Sequence, residues 1–334
     1  PVKSIKFSNH QANIVDDECI LCGQCFVNCP QNAKEIRNDT EAARALIASG
    51  APVYVSLAPS FVANYPGVGI GAMEKALQKL CFAAVEETAI GATLVKREYE
   101  RLVKEGEQEV IISSCCHSVN LLIQKYYPDL LPHLLPVKTP MIAHCDVLKK
   151  RDKDAFTVFI GPCIAKKKES VDIRHPGVID AVLNFNDINR WLKEEEITIE
   201  DCEDIPFRHL DPRVNRLYPV TNGVVNSVLA TEEKRDGYRK FYVHGARNCI
   251  DLCESMVRGE IKGCFIEMNM CSGGCIKGPT VEDESISRFK VKLDMEETIE
   301  KDPAEKSEVE EIISRISFQK LFIPLKYILL IAFP

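Results

Sequence analysis

The spacing of four cysteines near the start of the chain constrains its fold more than any other feature. They follow one another as Cys19-x-x-Cys22-x-x-Cys25-x-x-x-Cys29, directly before Pro30. Four thiolates around one tight loop are ligands that suit an iron-sulfur cluster. Zinc sites more often use two Cys-x-x-Cys pairs that a longer insert separates. The spacing therefore predicts a 4Fe-4S cluster and favours it over a zinc site.

The role of the fourth cysteine stays open at the level of the sequence. In two-cluster ferredoxins, the last cysteine of such a run ligates the other cluster. The sequence contains no second run of this kind. Cys29 therefore either closes the single cluster or belongs to a second cluster whose other ligands lie elsewhere.

The chain has fifteen cysteines in 334 residues, which raises the question of disulfides, metal sites or buried thiols. Disulfide-rich proteins are usually small and secreted. This chain is long, lacks a signal peptide and has metal-like cysteine spacings, so we expect a reducing, cytoplasmic setting. Cys249 and Cys253 are expected to pack in the core. The formal net charge of -7 disfavours binding to a phosphate backbone, so we expect no nucleic-acid partner.

The pattern of apolar residues divides the chain into three parts. Residues 1–48 form a small module around the cysteine loop. Residues 49–290 alternate short apolar strands with amphipathic helices, which is typical of an α/β domain with a parallel sheet. Residues 291–334 form a charged and then apolar tail. The predicted strands are 53–57, 110–113, 156–160, 241–244 and 264–267, and the predicted helices include 40–49, 71–82 and 87–104.

Cysteines directly follow three of the predicted strands, namely Cys115 with Cys116, Cys163, and Cys271. The carboxyl ends of parallel strands face a common crevice. Residues that lie far apart in the sequence are therefore expected to meet there. This arrangement predicts a second metal site at that edge of the sheet.

Three motifs around these cysteines make the chain resemble the catalytic domain of [FeFe]-hydrogenases. The motifs are Ser113-Ser-Cys-Cys-His117, Gly161-Pro-Cys-Ile-Ala-Lys166 and Glu267-Met-Asn-Met-Cys-Ser-Gly-Gly-Cys275. Ala58-Pro-Ser60 and residues 125–133 extend the resemblance over most of residues 1–280. It implies a two-lobed α/β parallel-sheet domain with the active-site cluster between the lobes, preceded by a small α+β ferredoxin-like module.

The resemblance also implies an H-cluster. This cofactor is a 4Fe-4S cluster joined to a two-iron subsite that carries CO, cyanide and an azadithiolate. Four cysteines are expected to hold the 4Fe-4S part, and the last of them is expected to bridge to the two-iron subsite: Cys116, Cys163, Cys271 and Cys275.

Four further side chains receive catalytic roles by the same resemblance. Lys166 and Ser60 are expected to donate hydrogen bonds to the cyanides. Cys115 is expected to exchange protons with the bridging amine, and Glu98 is expected to be the first acid of a proton relay. The sequence leaves alternatives open: Lys166 in a solvated basic run, Cys115 as an inert buried thiol, and Glu98 as an exposed charge on an ordinary helix.

Several positions depart from the pattern of the standard enzymes. Gly161 and Asn269 stand where two methionines pack around the two-iron subsite, and Met141 replaces a glutamine. Leu135 stands where the relay has a serine, and Pro279 replaces a glycine-rich continuation. These changes favour slow turnover and a place in the sensory, or regulatory, branch of the family.

The expected function is reversible oxidation of H2 to protons and electrons, used for hydrogen sensing or regulation. The expected partners are H2 and protons, a redox protein such as ferredoxin or a signalling domain, and hydrogenase maturation proteins. The alternative is a non-catalytic iron-sulfur assembly or electron-transfer protein that lacks the two-iron subsite. The apolar stretches of residues 316–334 are short and interrupted, so we expect no membrane span.

Overall fold

The computed structural model describes residues 1–8, 10–202, 213–229, 234–235, 237–282, 285 and 287–301. The strands are β1 Ile5–Ser8, β2 Gln11–Ile14, β3 Val53–Leu57, β4 Ala84–Glu87, β5 Val110–Ile112, β6 Phe156–Ile160, β7 Ala181–Leu183, β8 Lys234–Arg235, β9 Tyr238–His244 and β10 Cys264–Asn269. The helices are α1 Gln24–Val27, α2 Thr40–Ala48, α3 Ile70–Lys79, α4 Ala89–Glu105, α5 His117–Tyr126, α6 Pro140–Arg151, α7 Ala165–Glu169, α8 Phe185–Glu194, α9 Gly223–Leu229, α10 Ala246–Val257 and α11 Arg288–Lys301.

Two four-stranded sheets form two lobes. One sheet has the order β4-β3-β6-β7 and is parallel throughout. The other has the order β5-β10-β9-β8, in which only the short β8 is antiparallel. Helices connect successive parallel strands, so the central strands are buried on both faces, as β10 is along its whole length. The structure confirms the predicted α/β fold with two parallel-sheet lobes.

All five predicted strands are present, and their ends differ from the prediction by up to three residues. Strand β4 was not predicted, because its two glutamates resemble the start of a helix. Glu87 instead ends the strand, and α4 begins at Ala89. Glu86 and Glu87 are buried because the guanidinium groups of Arg151 and Arg216 pair with them.

The amino-terminal module packs on α5, the helix that begins directly after Cys116. Ile20 is fully buried there among apolar side chains of α5, and this burial contributes roughly 1.5–3 kcal/mol. Lys125 donates to the carbonyl of Cys19 at 2.8 Å, and Tyr126 donates to the carbonyl of Glu18 at 2.6 Å. Helix α5 therefore connects the first cysteine loop, which its carboxyl end contacts, to Cys116, which precedes its first turn.

The carboxyl-terminal part of the described chain ends in α11. This helix crosses residue 290, and its Val291 and Met295 pack against Val220 and Ile276. The predicted boundaries at residues 48 and 290 remain predictions. Within the described ranges, no helix is both long and apolar enough to span a membrane, and residues 316–334 lie outside those ranges.

Candidate metal centre

Four cysteines occupy the carboxyl ends of strands from both lobes. Cys116 precedes the first turn of α5 after β5, and Cys163 lies between β6 and α7. Cys271 follows β10, and Cys275 begins the short 3-10 turn after it. Strands β5 and β10 belong to one sheet and β6 to the other. The four thiols, which we call the thiol tetrad, therefore lie where the two lobes meet.

The members of the tetrad are close enough that the charge on each affects the others. Burial, followed by the charges of neighbouring sulfurs, raises the pKa of Cys271 and Cys275 well above the ordinary value. Burial also raises the pKa of Cys163 to about 11, and the sulfur of Cys116 contributes. Such thiols ionise only with a cation to offset their mutual repulsion. An iron cluster would supply that positive charge.

The tetrad is not a site for one ion. Among the described residues, no group of three or more His, Cys, Asp or Glu side chains is placed to hold a single metal ion. The cysteines of a 4Fe-4S cluster bind separate iron atoms at the corners of a cube, so they stand farther apart than the ligands of one ion. All fifteen cysteines are free thiols, which fits metal binding and excludes a disulfide framework in this structure.

The loop between Cys271 and Cys275 depends on Gly274. Its φ of 86° lies in the left-handed region, and a Cβ there would stand 2.3 Å from the carbonyl oxygen of Pro219. A bridge between Val220 and Gly274 fixes the same segment. The absence of a side chain therefore lets the loop turn back and direct both cysteines to one side.

Lys166 is buried beside the tetrad and is not part of a solvated basic run. Its ammonium donates to Glu169 at 2.5 Å and to Thr139 at 3.1 Å. Burial alone would lower the pKa of Lys166, but the Glu169 carboxylate and the Cys163 sulfur outweigh it and raise that pKa. The side chain is thus a fixed positive charge at the tetrad.

Ser60 lies on the 3-10 turn Pro59–Ala63 that follows β3. Its side chain is 1% exposed, and its Oγ has no hydrogen-bond partner among the described residues. A buried hydroxyl without a partner is costly, so its position suits an acceptor atom of a bound group.

Cys115 contacts Tyr99, and the sequence did not predict this contact. The Tyr99 hydroxyl lies 3.4 Å from the Cys115 sulfur and 2.8 Å from the Ser114 hydroxyl. Burial raises the pKa of Cys115 to about 12, although the hydrogen bond from Tyr99 opposes this shift. Glu98, the predicted relay acid, is buried rather than exposed and pairs with Arg101 at 2.6 Å. The one sequence signal for Tyr99 was the helical period of α4, because adjacent residues of a helix, such as Glu98 and Tyr99, lie on different faces.

Three departures from the hydrogenase pattern have a physical explanation. A Cβ on Gly161 would stand 2.8 Å from the Phe159 ring. The Phe159 ring therefore fills the space that a larger side chain at position 161 would need. Met141 packs with Phe159 in the same apolar cluster. Asn269 instead donates to the buried Glu267 at 2.6 Å. Burial raises the pKa of Glu267 to about 7, against hydrogen bonds from the backbone and from Asn269.

The first cysteine loop lies next to the tetrad. The charge of Cys22 contributes to the raised pKa of Cys271. The backbone of Gly23, whose φ is 72°, lies so close to Pro279 that a Cβ there would stand 2.4 Å from the proline ring. The first cysteine loop therefore packs tightly against the main domain. Hydrogen bonds from the backbone, the first from Ala33, lower the pKa of Cys29. Which cluster Cys29 serves remains a prediction.

Comparisons with known proteins agree with this arrangement. The profile of the family described as "Iron only hydrogenase large subunit, C-terminal domain" matches residues 47–279, and that of a 4Fe-4S binding domain matches residues 12–35. The periplasmic [Fe] hydrogenase large subunit of Nitratidesulfovibrio vulgaris is 28% identical over 286 residues, which cover 70% of this chain and 67% of that protein.

Two further relatives bear on the fold and on the alternative function. The cytosolic Fe-S cluster assembly factor NAR1 of Eremothecium gossypii is 25% identical over 220 residues, which cover 59% of this chain and 48% of that protein. A solved [FeFe]-hydrogenase structure, from a study of oxygen inactivation, superposes with a TM-score of 0.68 at 16% identity. The match covers 86% of this chain and 98% of that one. At this identity the structural match establishes the shared fold.

Proposed function

We propose, from the premise that this chain belongs to the family of C-terminal domains of iron-only hydrogenases, that it binds an H-cluster and interconverts H2 with protons and electrons. The observation that carries the proposal is a fifth thiol beside the tetrad. Cys115 lies close enough to Cys275 for its charge to raise the pKa of Cys275, and its sulfur contacts the Tyr99 hydroxyl. A simple 4Fe-4S cluster needs four thiolates and has no use for a fifth thiol with a hydroxyl partner.

The residues of the site fit this cofactor. The thiol tetrad would hold its 4Fe-4S part, and Cys275 would bridge to its two-iron part. The unpartnered Ser60 hydroxyl and the buried Lys166 ammonium would meet its anionic ligands. When bound, the cofactor supplies the binding of H2 and the transfer of electrons.

Lys166 and Ser60 orient the bound group. A buried ammonium and a buried hydroxyl stabilise anionic ligands more strongly than they would in water, because little solvent competes with them. Glu169 and Thr139 fix the Lys166 side chain in one direction. The charge therefore needs no rearrangement when the cofactor enters.

Cys115 holds the proton at the inner end of the protein's route. Its high pKa keeps the sulfur protonated at neutral pH, so the thiol carries a proton without becoming a metal ligand. The Tyr99 hydroxyl lies within reach to replace a proton that the sulfur gives up. Tyr99, and not Glu98, is then the first group of the relay beyond Cys115.

The first cysteine loop, which lies next to Cys271, would hold the cluster that carries electrons away from the site. The proposed electron acceptor is a redox protein such as ferredoxin, or a signalling domain, and hydrogenase maturation proteins would supply the cofactor. Leu135 in place of a relay serine, and the Phe159 and Met141 side chains around Gly161, support slow turnover used for sensing.

The second candidate function is that of a non-catalytic iron-sulfur assembly protein. The match to the assembly factor of Eremothecium gossypii favours it, because a related chain performs that role. Such a protein needs the tetrad but has no need of a buried Lys166 or of the Cys115 and Tyr99 pair. Those residues support the hydrogenase proposal.

Exchange of isotopes between H2 and D2O tests the proposed activity. We expect protein loaded with clusters and a synthetic two-iron cofactor to form HD, and we expect Cys115→Ala to lose most of this exchange. Cys202→Ala is the matched control, since Cys202 is a free thiol that packs in the apolar core of the lobe built on β4-β3-β6-β7. An inactive wild type, or a Cys115→Ala variant as active as the control, would contradict the proposal.

A further inference from the structure

A small, partly open cavity of about 20 Å³, lined by both polar and apolar side chains, lies beside α5 and includes His117, the residue after Cys116. Its volume is about that of one water molecule. The wall includes Leu135, which replaces the serine of the standard relay, and Ser114, whose hydroxyl contacts Tyr99. Arg174 and His175, which belong to the turn after α7, also line the cavity. The cavity therefore begins where the standard relay is interrupted.

Three buried polar atoms at this cavity have no partner among the described residues. They are Oδ1 of Asn120, Oε1 of Gln124 and Nδ1 of His175. These side chains are 9%, 5% and 5% exposed, respectively. The orientation of Asn120 is fixed, because its Nδ2 donates to the carbonyl of Ser114 at 2.8 Å. Buried polar groups without a partner are rare and costly, so three around one cavity indicate a bound polar molecule.

One water molecule has the donors and the acceptor that these three atoms need. Its two hydrogens would bond to the amide oxygens of Asn120 and Gln124, and its oxygen would accept from Nδ1 of His175. Neutral imidazole can also reverse this last bond and accept a hydrogen at Nδ1. Burial lowers the pKa of His175 to about 4, so the ring is neutral at pH 7 and available for either role.

We propose that the cavity holds one ordered water and that this water links Ser114 to His175, giving the site a proton route that bypasses Leu135. The route runs from Tyr99 through Ser114 and the water to His175, and it requires the Ser114 hydroxyl to turn its hydrogen from the carbonyl of Val137 to the water. Each hop gives one proton to the next group and receives one from the group before, so the net change is one proton moved and no charge left behind. The amide oxygens accept only, and they stabilise the water while it carries positive charge.

The neighbouring charges suit passage of a proton toward the surface. Asp172 pairs with Arg174 at 2.5 Å at the outer end, and Glu169 pairs with Lys166 at the inner end. Arg174 and Lys166 thus each have a carboxylate partner. A proton that reaches His175 therefore meets no unpaired positive charge among these four groups.

This inference rests on the proposed hydrogenase function for its catalytic meaning, but the water site itself does not. The first experiment is a high-resolution crystal structure of the cluster-bearing protein. We expect one water within hydrogen-bond distance of Asn120, Gln124 and His175. An empty or apolar-filled cavity would overturn the proposal even if the protein proved to be an active hydrogenase.

The second experiment separates holding the water from passing the proton. His175→Asn keeps a hydrogen-bonding atom near the Nδ1 position but cannot carry a proton, whereas His175→Leu removes both. We expect His175→Asn to retain the water and the stability of the wild type, yet to exchange H2 with D2O roughly tenfold or more slowly. We expect His175→Leu to lose the water and to exchange slowly as well.

His133→Asn is the matched control, because the His133 ring bonds to the carbonyl of Val110 away from the cavity. It should exchange like the wild type. Infrared bands of CO and cyanide are recorded on every variant, so that slow exchange is not confused with lost cofactor. Wild-type exchange in His175→Asn, with the bands intact, would refute the proton route. Absent bands in the wild type would refute the proposed function and leave the crystallographic test of the water to decide its site.

Discussion

Removing the hydroxyl of Tyr99 separates its structural role from its role in moving protons. The hydroxyl accepts from the Ser114 backbone N–H at 2.7 Å and lies 2.8 Å from the Ser114 hydroxyl and 3.4 Å from the Cys115 sulfur. In Tyr99→Phe the ring keeps its edge-on packing against Phe265. The Ser114 hydroxyl keeps its bond to the carbonyl of Val137.

The loss is therefore one buried backbone donor without a partner, which costs about 1–3 kcal/mol of the free energy of unfolding. Chemical denaturation of the cluster-bearing protein measures this cost. Cys115 also loses its neighbour in the relay, and groups that transfer protons typically contribute about 10²-fold or more to a rate. We therefore expect exchange between H2 and D2O to fall by roughly that factor while the infrared bands of the cofactor stay in place.

Tyr65→Phe is the matched control. The Tyr65 hydroxyl donates to Asn189 at 2.6 Å in the lobe that contains β3, away from the tetrad, and its loss should cost less free energy of unfolding because Asn189 is only partly buried. Its exchange rate should equal that of the wild type. If Tyr99→Phe exchanged as fast as Tyr65→Phe with the cofactor bound, Tyr99 would not be part of the relay and the argument from its contact with Cys115 would fail.

Three further predictions concern stability and assembly. Lys167→Met leaves Asp39 and Asp187 without their shared buried cation and should lower the free energy of unfolding by about 3–5 kcal/mol, as urea titration would measure. Burial raises the pKa of Glu267 to about 7, so between the pKa of an unfolded glutamate and this value the native state binds more protons than the unfolded chain. Stability should therefore fall as pH rises through that window, by at most about 1.4 kcal/mol per pH unit, and Glu267→Gln should flatten the slope. Gly274→Ala should abolish the iron content of the tetrad but leave the signal of the first cluster in electron paramagnetic resonance; a variant with full iron content would show that the close approach of this loop is not needed.

The parts of the fold that the sequence predicts are those with a local signal. Strand β6 follows from five consecutive residues of strong strand propensity, and the Gly-Pro-Cys that follows marks where it ends. Convergence of the tetrad follows from the general geometry of parallel sheets, since Cys163 and Cys271 each end a strand. Strand β4 escaped prediction because its glutamates are buried only through distant arginines.

The parts of the candidate site that the sequence misses depend on tertiary packing. Tyr99 is adjacent to the predicted relay residue Glu98, and only the rotation of α4 against β5 decides which of them faces Cys115. The sequence could not predict that Nδ1 of His175 lacks a partner, because the turn that carries His175 contacts α5 only in the folded chain. Motifs identify the cysteines, whereas the proton route depends on which side chains the fold brings beside them.

We propose that the tetrad holds a 4Fe-4S cluster joined to a two-iron subsite. Infrared spectroscopy under H2 and then CO, on protein reconstituted with 4Fe-4S clusters and a synthetic two-iron cofactor, tests it most directly. We expect sharp CO and cyanide bands that shift between the two gases and disappear in Cys275→Ser. A spectrum without such bands, from protein whose 4Fe-4S clusters are intact, would contradict it and favour the assembly-protein alternative.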